Sequence, residues 1–100
     1  MAPVKFITGK RSVEEYDVLI KNGMVVDGTQ SPRYQADVGI RDGAIAAIGR
    51  LSNARGRREV DASGMIVAPG FIDLHTHYDA QVFWDPHCTA SGWHGVTTVT

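Results

Sequence analysis

The apolar positions of this chain fall into short β-like runs punctuated by Asn-Gly and Asp-Gly pairs. Val18, Leu19 and Ile20 precede Asn22-Gly23, and Met24, Val25 and Val26 follow. Asn-Gly between two β-rich runs predicts a hairpin over residues 16–27 with a type I′ turn, which needs positive φ at both central positions. Residues 37–49 repeat the pattern: Val38 and Ile40 lead into Asp42-Gly43, and Ile45 and Ile48 follow. The heptapeptides starting at Asp17 and Asp37 are alike, and we read them as two successive hairpins, since two copies are too few for a repeat array. Residues 1–15 show no period and read as a loose lead-in.

The linking segments are polar. Residues 28–34 form a loop with Pro32. Residues 50–59 hold Arg50, Arg55, Arg57 and Arg58 among Ser, Asn and Gly, which predicts a solvated loop; no aromatic platform accompanies the arginines to suggest nucleic-acid binding. Residues 60–64 make a turn and 65–68 a short strand. Pro69-Gly70 then opens an apolar run, predicted to be one strand through His77. Asp85-Pro86 resembles a helix start, with Asp as N-cap and Pro at the first helical position, and the helix would run to about His94. Residues 95–100 form a further strand, parallel to the one that carries His75.

Candidate chemistry concentrates in the strand over residues 69–77. Side chains alternate faces along a strand, which puts Asp73, His75 and His77 on one side, neighbours about 6.6 Å apart. Two imidazoles at that spacing can converge on one divalent ion, and Asp73 could orient a ligand from one step deeper. The competing interpretation is a pair of structural histidines, hydrogen-bonded at a strand end. Tyr78 and Asp79 follow directly and are candidates for a substrate pocket, alongside Phe83 and Trp84. His87 and His94 read as structural or surface residues, and nothing places a base beside Cys88 to make it a nucleophile.

Composition narrows the classes. A formal net charge of −1 with 21% charged residues argues against a polyanion-binding protein. One cysteine excludes an internal disulfide framework and fits a reducing compartment. No apolar run approaches the roughly 18 residues of a membrane span, and residues 1–9 lack the apolar core of a signal peptide. The expected location is the cytoplasm, with neither nucleic acid nor membrane as partner.

The segment Ala68-Pro69-Gly70-Phe71-Ile72-Asp73-Leu74-His75-Thr76-His77 resembles the signature of the amidohydrolase superfamily of metal-dependent hydrolases. The continuation, residues 78–86 and then Gly95-Val96-Thr97-Thr98-Val99-Thr100, looks most like its N-acyl-D-amino-acid deacylase (D-aminoacylase) branch, and the resemblance runs from about residue 16 to the last. It implies a mixed β and α/β fold: β-hairpins of a small β-sandwich in residues 1–64, leading into the first strands of an incomplete (β/α)8 TIM barrel in residues 65–100. A whole barrel takes about 250 residues, so the remainder of the same chain would complete both parts.

In the superfamily the His-x-His ends the first barrel strand and binds the more buried metal of a one- or two-metal centre. The resemblance thus implies zinc held by His75 and His77, and hydrolysis of the amide of a small N-acyl-D-amino acid. The general base, an aspartate late in the barrel, would lie beyond Thr100. So would the metal-ligating cysteine of the branch, which follows the second strand; Cys88 precedes that strand and does not match it. Two alternatives remain: a hydantoinase or dihydropyrimidinase-like hydrolase of cyclic amides, and a non-catalytic scaffold.

Overall fold

The computed structural model describes residues 13–100; the lead-in expected over residues 1–15 lies almost wholly outside them. The chain divides after Ala68 into two compact units.

The first unit is a five-stranded sheet. Its strands are β1 (Glu15–Val25), β2 (Tyr34–Arg41), β3 (Ala44–Gly49), β4 (Arg55–Asp61) and β5 (Ile66–Val67). The order is β3-β2-β1-β4, with β5 also paired to β1. β1 is antiparallel to β2 and parallel to both β4 and β5.

The first expected hairpin is absent: β1 runs straight through Asn22-Gly23. Asn22 has φ +64°, but Gly23 is not in the positive-φ region, so a type I′ turn cannot form there. The pairing with β2 instead shifts register between Ile20 and Gly23, the signature of a β-bulge. Both neighbours favour it. The Asn22 N–H donates to Asp37 Oδ1 at 2.8 Å, and Asn22 Nδ2 donates to Asp61 Oδ1 at 3.2 Å. Gly23 is needed for a close approach, because a Cβ there would sit 2.4 Å from Val67 Cγ2.

The second hairpin forms as the pattern predicts. Asp42 (φ +53°) and Gly43 (φ +74°) both adopt positive φ between β2 and β3. The Asp42 N–H also donates to Asp17 Oδ2 at 2.8 Å, which ties the turn back to β1.

The arginine-rich segment is not all loop. Residues 55–61 form β4, paired with β1 from Glu15↔Arg55 to Lys21↔Asp61. The other side of β4 is unpaired within this sheet, so its charged side chains are solvated, as suits a strand edge. Arg57 Nη2 lies 2.9 Å from Asp17 Oδ1, but so exposed a pair contributes little to stability.

Two clusters form the core. Tyr16, Leu19, Ala47 and Leu51 make one, and Val25, Ala36, Val38 and Ile48 the other. Tyr16 lies flat over Gly39, where a Cβ would meet its Cε1 at 2.6 Å. The Tyr16 hydroxyl donates to Glu14 Oε2 at 2.7 Å. Burial, aided by the Glu14 carboxylate, pushes the Tyr16 phenol up to about 12.

The second unit is smaller. β6 (Phe71–Asp73) and β7 (Val96–Val99) pair in parallel, as expected of the two runs, with α1 (Tyr78–Gln81) and α2 (Thr89–Trp93) between them. Two further expectations are corrected. The strand carrying Asp73 stops there and does not continue through His77. The helix expected over residues 85–94 shrinks to α2, because Cys88 takes φ +50°. Asp85 is not its N-cap: Cys88 holds that place, with no side-chain cap bond, and Asp85 Oδ2 accepts the Thr89 N–H at 2.8 Å and the Thr89 hydroxyl at 3.0 Å. No residue from 69 to 100 is buried.

Two outcomes follow for the first unit. Asp37→Ala removes the acceptor of both the Asn22 and Leu51 N–H groups and should cost about 1–2 kcal/mol, with faster amide exchange at those two positions. An unchanged urea midpoint would contradict this. For Tyr16, the phenol titrates higher in the folded state than its ordinary 10. Its contribution is therefore whole below pH 10 and lost as the pH rises from about 10 to about 12. Urea unfolding across that window should show a decline that Tyr16→Phe makes shallower.

Candidate metal centre

β6 delivers the candidate residues to one short loop. Its last residue, Asp73, ends the strand with its own side chain: Oδ1 accepts the His75 N–H at 3.0 Å. An aspartate bonding to the backbone two residues on is an Asx-turn, which competes with ladder pairing. β7 holds the same corner. The Thr100 N–H donates to the Asp73 carbonyl at 3.1 Å, and Thr76 Oγ1 donates to the Thr100 carbonyl at 2.9 Å. The His77 carbonyl in turn accepts the N–H groups of Ala80 and Gln81, which starts α1.

This loop brings the rings of His75 and His77 together. Their centroids are 5.3 Å apart and their planes 72° from parallel. Strand alternation does not produce this proximity, since both residues lie past the strand; the turn at Asp73 and the start of α1 do. Both side chains are exposed, so their nitrogens are open to a ligand. Neutral imidazole nitrogens suit zinc, and the adjacent pair fits two positions of a zinc centre. Among the described residues no group of three or more His, Cys, Asp or Glu side chains could hold a metal. Asp73 is half-buried and engaged with the His75 backbone.

The remaining candidates fall elsewhere. Tyr78 is half-buried, and its hydroxyl shares a hydrogen bond with Ser91 Oγ at 2.5 Å. Asp79 is exposed in the first turn of α1. His94 Nδ1 lies 2.7 Å from the Ala90 carbonyl, within its own helical turn. His87 and Cys88 line a cleft with α2 and β7, and Cys88 is a free thiol. Sequence reasoning missed the bonds of Thr76 and Tyr78. Asp73, two residues before His75, was a readable Asx-turn signal.

The sequence relations of the chain fall on the same two units. The amidohydrolase family matches residues 58–100, which include β6, the histidine pair and β7. The N-terminal domain of the urease alpha-subunit matches residues 5–71. The D-aminoacylase of Alcaligenes xylosoxydans xylosoxydans is 45% identical over 86 residues, covering 86% of this chain and 18% of that protein. The crystal structure of an N-acyl-D-glutamate deacylase from Bordetella bronchiseptica, complexed with zinc and a phosphonate mimic of the tetrahedral intermediate, matches with a TM-score of 0.80 at 49% identity, over 86% of this chain and 18% of that one. A D-aminoacylase structure, from work on the role of its binuclear metal centre, matches with a TM-score of 0.77 at 45% identity, over 84% of this chain and 18% of that one. The chain thus spans less than a fifth of the length of these relatives. It belongs to the amidohydrolase family, its leading unit is of the kind found as the urease alpha-subunit N-terminal domain, and it corresponds to the amino-terminal portion of the N-acyl-D-amino-acid deacylase branch.

Proposed function

We propose that the full-length protein to which this chain contributes is a zinc-dependent amidohydrolase acting on the amide bond of N-acyl-D-amino acids. The observation that carries the reading is the His75–His77 pair, rings 5.3 Å apart, in the loop after β6 within the segment matched by the amidohydrolase family. The deacylase relatives, one of them a zinc complex, favour this substrate class over cyclic amides. We read residues 1–64 as part of a composite β-sandwich and residues 65–100 as the start of a (β/α)8 barrel that the rest of the chain completes.

In this reading His75 and His77 are two of the metal ligands, and the other ligands and the general base come from residues outside this chain. Zinc, when bound, supplies a Lewis acid for the amide carbonyl and lowers the pKa of a water molecule to about 7. The chain's own residues orient and hold. Asp73 fixes the His75 backbone, Thr76 ties the loop to β7, and the His77 carbonyl anchors α1. Asp79, exposed two residues after His77, can meet a polar group of the substrate. No helix among the described residues is long and apolar enough to cross a membrane. A cytoplasmic setting would keep Cys88 reduced.

Metal analysis and a chiral assay of the full-length protein test the reading together. His75→Ala and His77→Ala should each strip zinc and lower turnover by at least the roughly 100-fold that loss of an outer partner of a metal can cost. The unaltered protein should release D-amino acids faster than L-amino acids from N-acyl substrates and leave hydantoins largely intact. Full zinc and normal rates in both variants would remove the metal assignment, and preference for the hydantoin would replace the substrate class.

A second outcome concerns the 100-residue chain alone. Its proposed centre offers two histidines where zinc sites use three or four protein ligands, so calorimetric titration with zinc should give only weak binding. Tight one-to-one binding abolished by His77→Ala would contradict it.

A further inference from the structure

We infer that Tyr78 is a positioning residue for the histidine pair, acting through its hydrogen bond to Ser91, and not a wall of the substrate pocket. The inference rests on the reading of His75 and His77 as metal ligands.

The loop that carries the pair is held unequally at its two ends. Upstream, Asp73 Oδ1 accepts the His75 N–H, and Thr76 Oγ1 reaches the Thr100 carbonyl. Both ties lead into the β6–β7 pair. Downstream, the loop passes directly into α1, whose first turn closes on the His77 carbonyl. Any rotation of α1 therefore turns the peptide of His77. Yet α1 has only four residues, none of them buried, and no side-chain cap. A helix so short is not stable by itself.

Tyr78 supplies the missing restraint. It is the first residue of α1 and the immediate neighbour of His77. Its hydroxyl reaches Ser91 Oγ in α2 at 2.5 Å, and both side chains are half-buried. Among the described residues no other side-chain hydrogen bond holds α1. α2 is in turn tied at its first residue, Thr89, to the Asp85 carboxylate. The tie from Tyr78 to Ser91 thus links the backbone of His77 to the element that leads into β7. The bond to Ser91 fixes the phenol against α2, as a positioning role requires.

The test uses the full-length protein with zinc, and with cobalt in its place, as probes. Zinc content of the unaltered protein and of His77→Ala reports on the ligand reading by itself. Given that, Tyr78→Phe and Ser91→Ala should each weaken zinc retention against a chelator by roughly tenfold, the lower end of what loss of a ligand-orienting partner costs. Each should also shift the visible absorption of the cobalt form. The double variant should be no weaker than either single one, because both remove the same bond. Ser91→Thr, which keeps a hydroxyl, should restore retention. Three results would overturn the inference: unchanged zinc retention and cobalt spectrum with a raised KM, which assigns Tyr78 to the pocket; unchanged retention and spectrum with only a lower Tm, which makes the bond merely structural; and additive losses in the double variant, which means the two residues act separately.

Discussion

Between Lys21 and Met24 the central strand changes partners on one side while keeping its partner on the other. β4 accompanies β1 as far as Lys21, and β5 takes over at Met24. The chain between them leaves the ladder and returns around Gly64 (φ +75°). The Lys21 carbonyl accepts the Ala62 N–H at 2.8 Å, and the Met24 N–H donates to the Met65 carbonyl at 3.0 Å. A regular strand would leave backbone groups unmatched at such an exchange, and unmatched groups are costly where water is excluded. The bulge at Asn22 absorbs the misfit. Asp37 from one neighbour and Asp61 from the other hold it, and Gly23 lets Val67 and Ala62 approach. The two core clusters lie on either side of this point, Tyr16 and Leu19 before it, Val25 after it.

The histidine loop rests on a different footing. Its unit has no buried residue, and Phe71, Leu74, Phe83, Trp84 and Trp93 are each at least 67% exposed. Its order comes from polar ties: a carboxylate ending a strand, a threonine reaching β7, a phenol joining two short helices. Such ties set orientation well, but exposed ones add little net stability. The division suits a site that needs two ring nitrogens aimed while apolar neighbours await other packing partners. The unit that carries the proposed metal ligands is therefore the one least able to stand alone.

How much could be read in advance depended on whether the deciding partner was local. The Asp42-Gly43 turn was legible because both positive-φ positions and both flanking strands lie within one continuous stretch, Tyr34 to Gly49. Asn22-Gly23 sits in nearly the same heptapeptide yet becomes a bulge, since its fate is set by Asp37, Asp61 and Val67, all distant in sequence. β4 was hidden for a related reason. An edge strand bonded on one side can be charged throughout, and Arg55, Arg57, Arg58 and Glu59 carry no apolar alternation to betray it. His75 and His77 were legible as a pair, but the strand beneath them was drawn too long, because the Asx-turn at Asp73 outweighs the β propensity of the apolar run. The bond from Tyr78 to Ser91 left no trace in spacing or composition.

The parallel pairing of β1 also has a consequence in time. The partners of β1 between Glu15 and Lys21 each lie forty positions later. At translation rates of about 5–20 residues per second, β1 waits roughly 2–8 s after its own synthesis before that partner exists. The β2–β3 hairpin, with its self-contained turn, can cover the opposite side sooner. Until β4 is made, the ladder groups beside Val18, Leu19 and Ile20 remain open to any extended segment nearby. The nascent chain thus passes through an interval in which its most buried strand is its most adhesive one, and chaperone demand during synthesis would concentrate there.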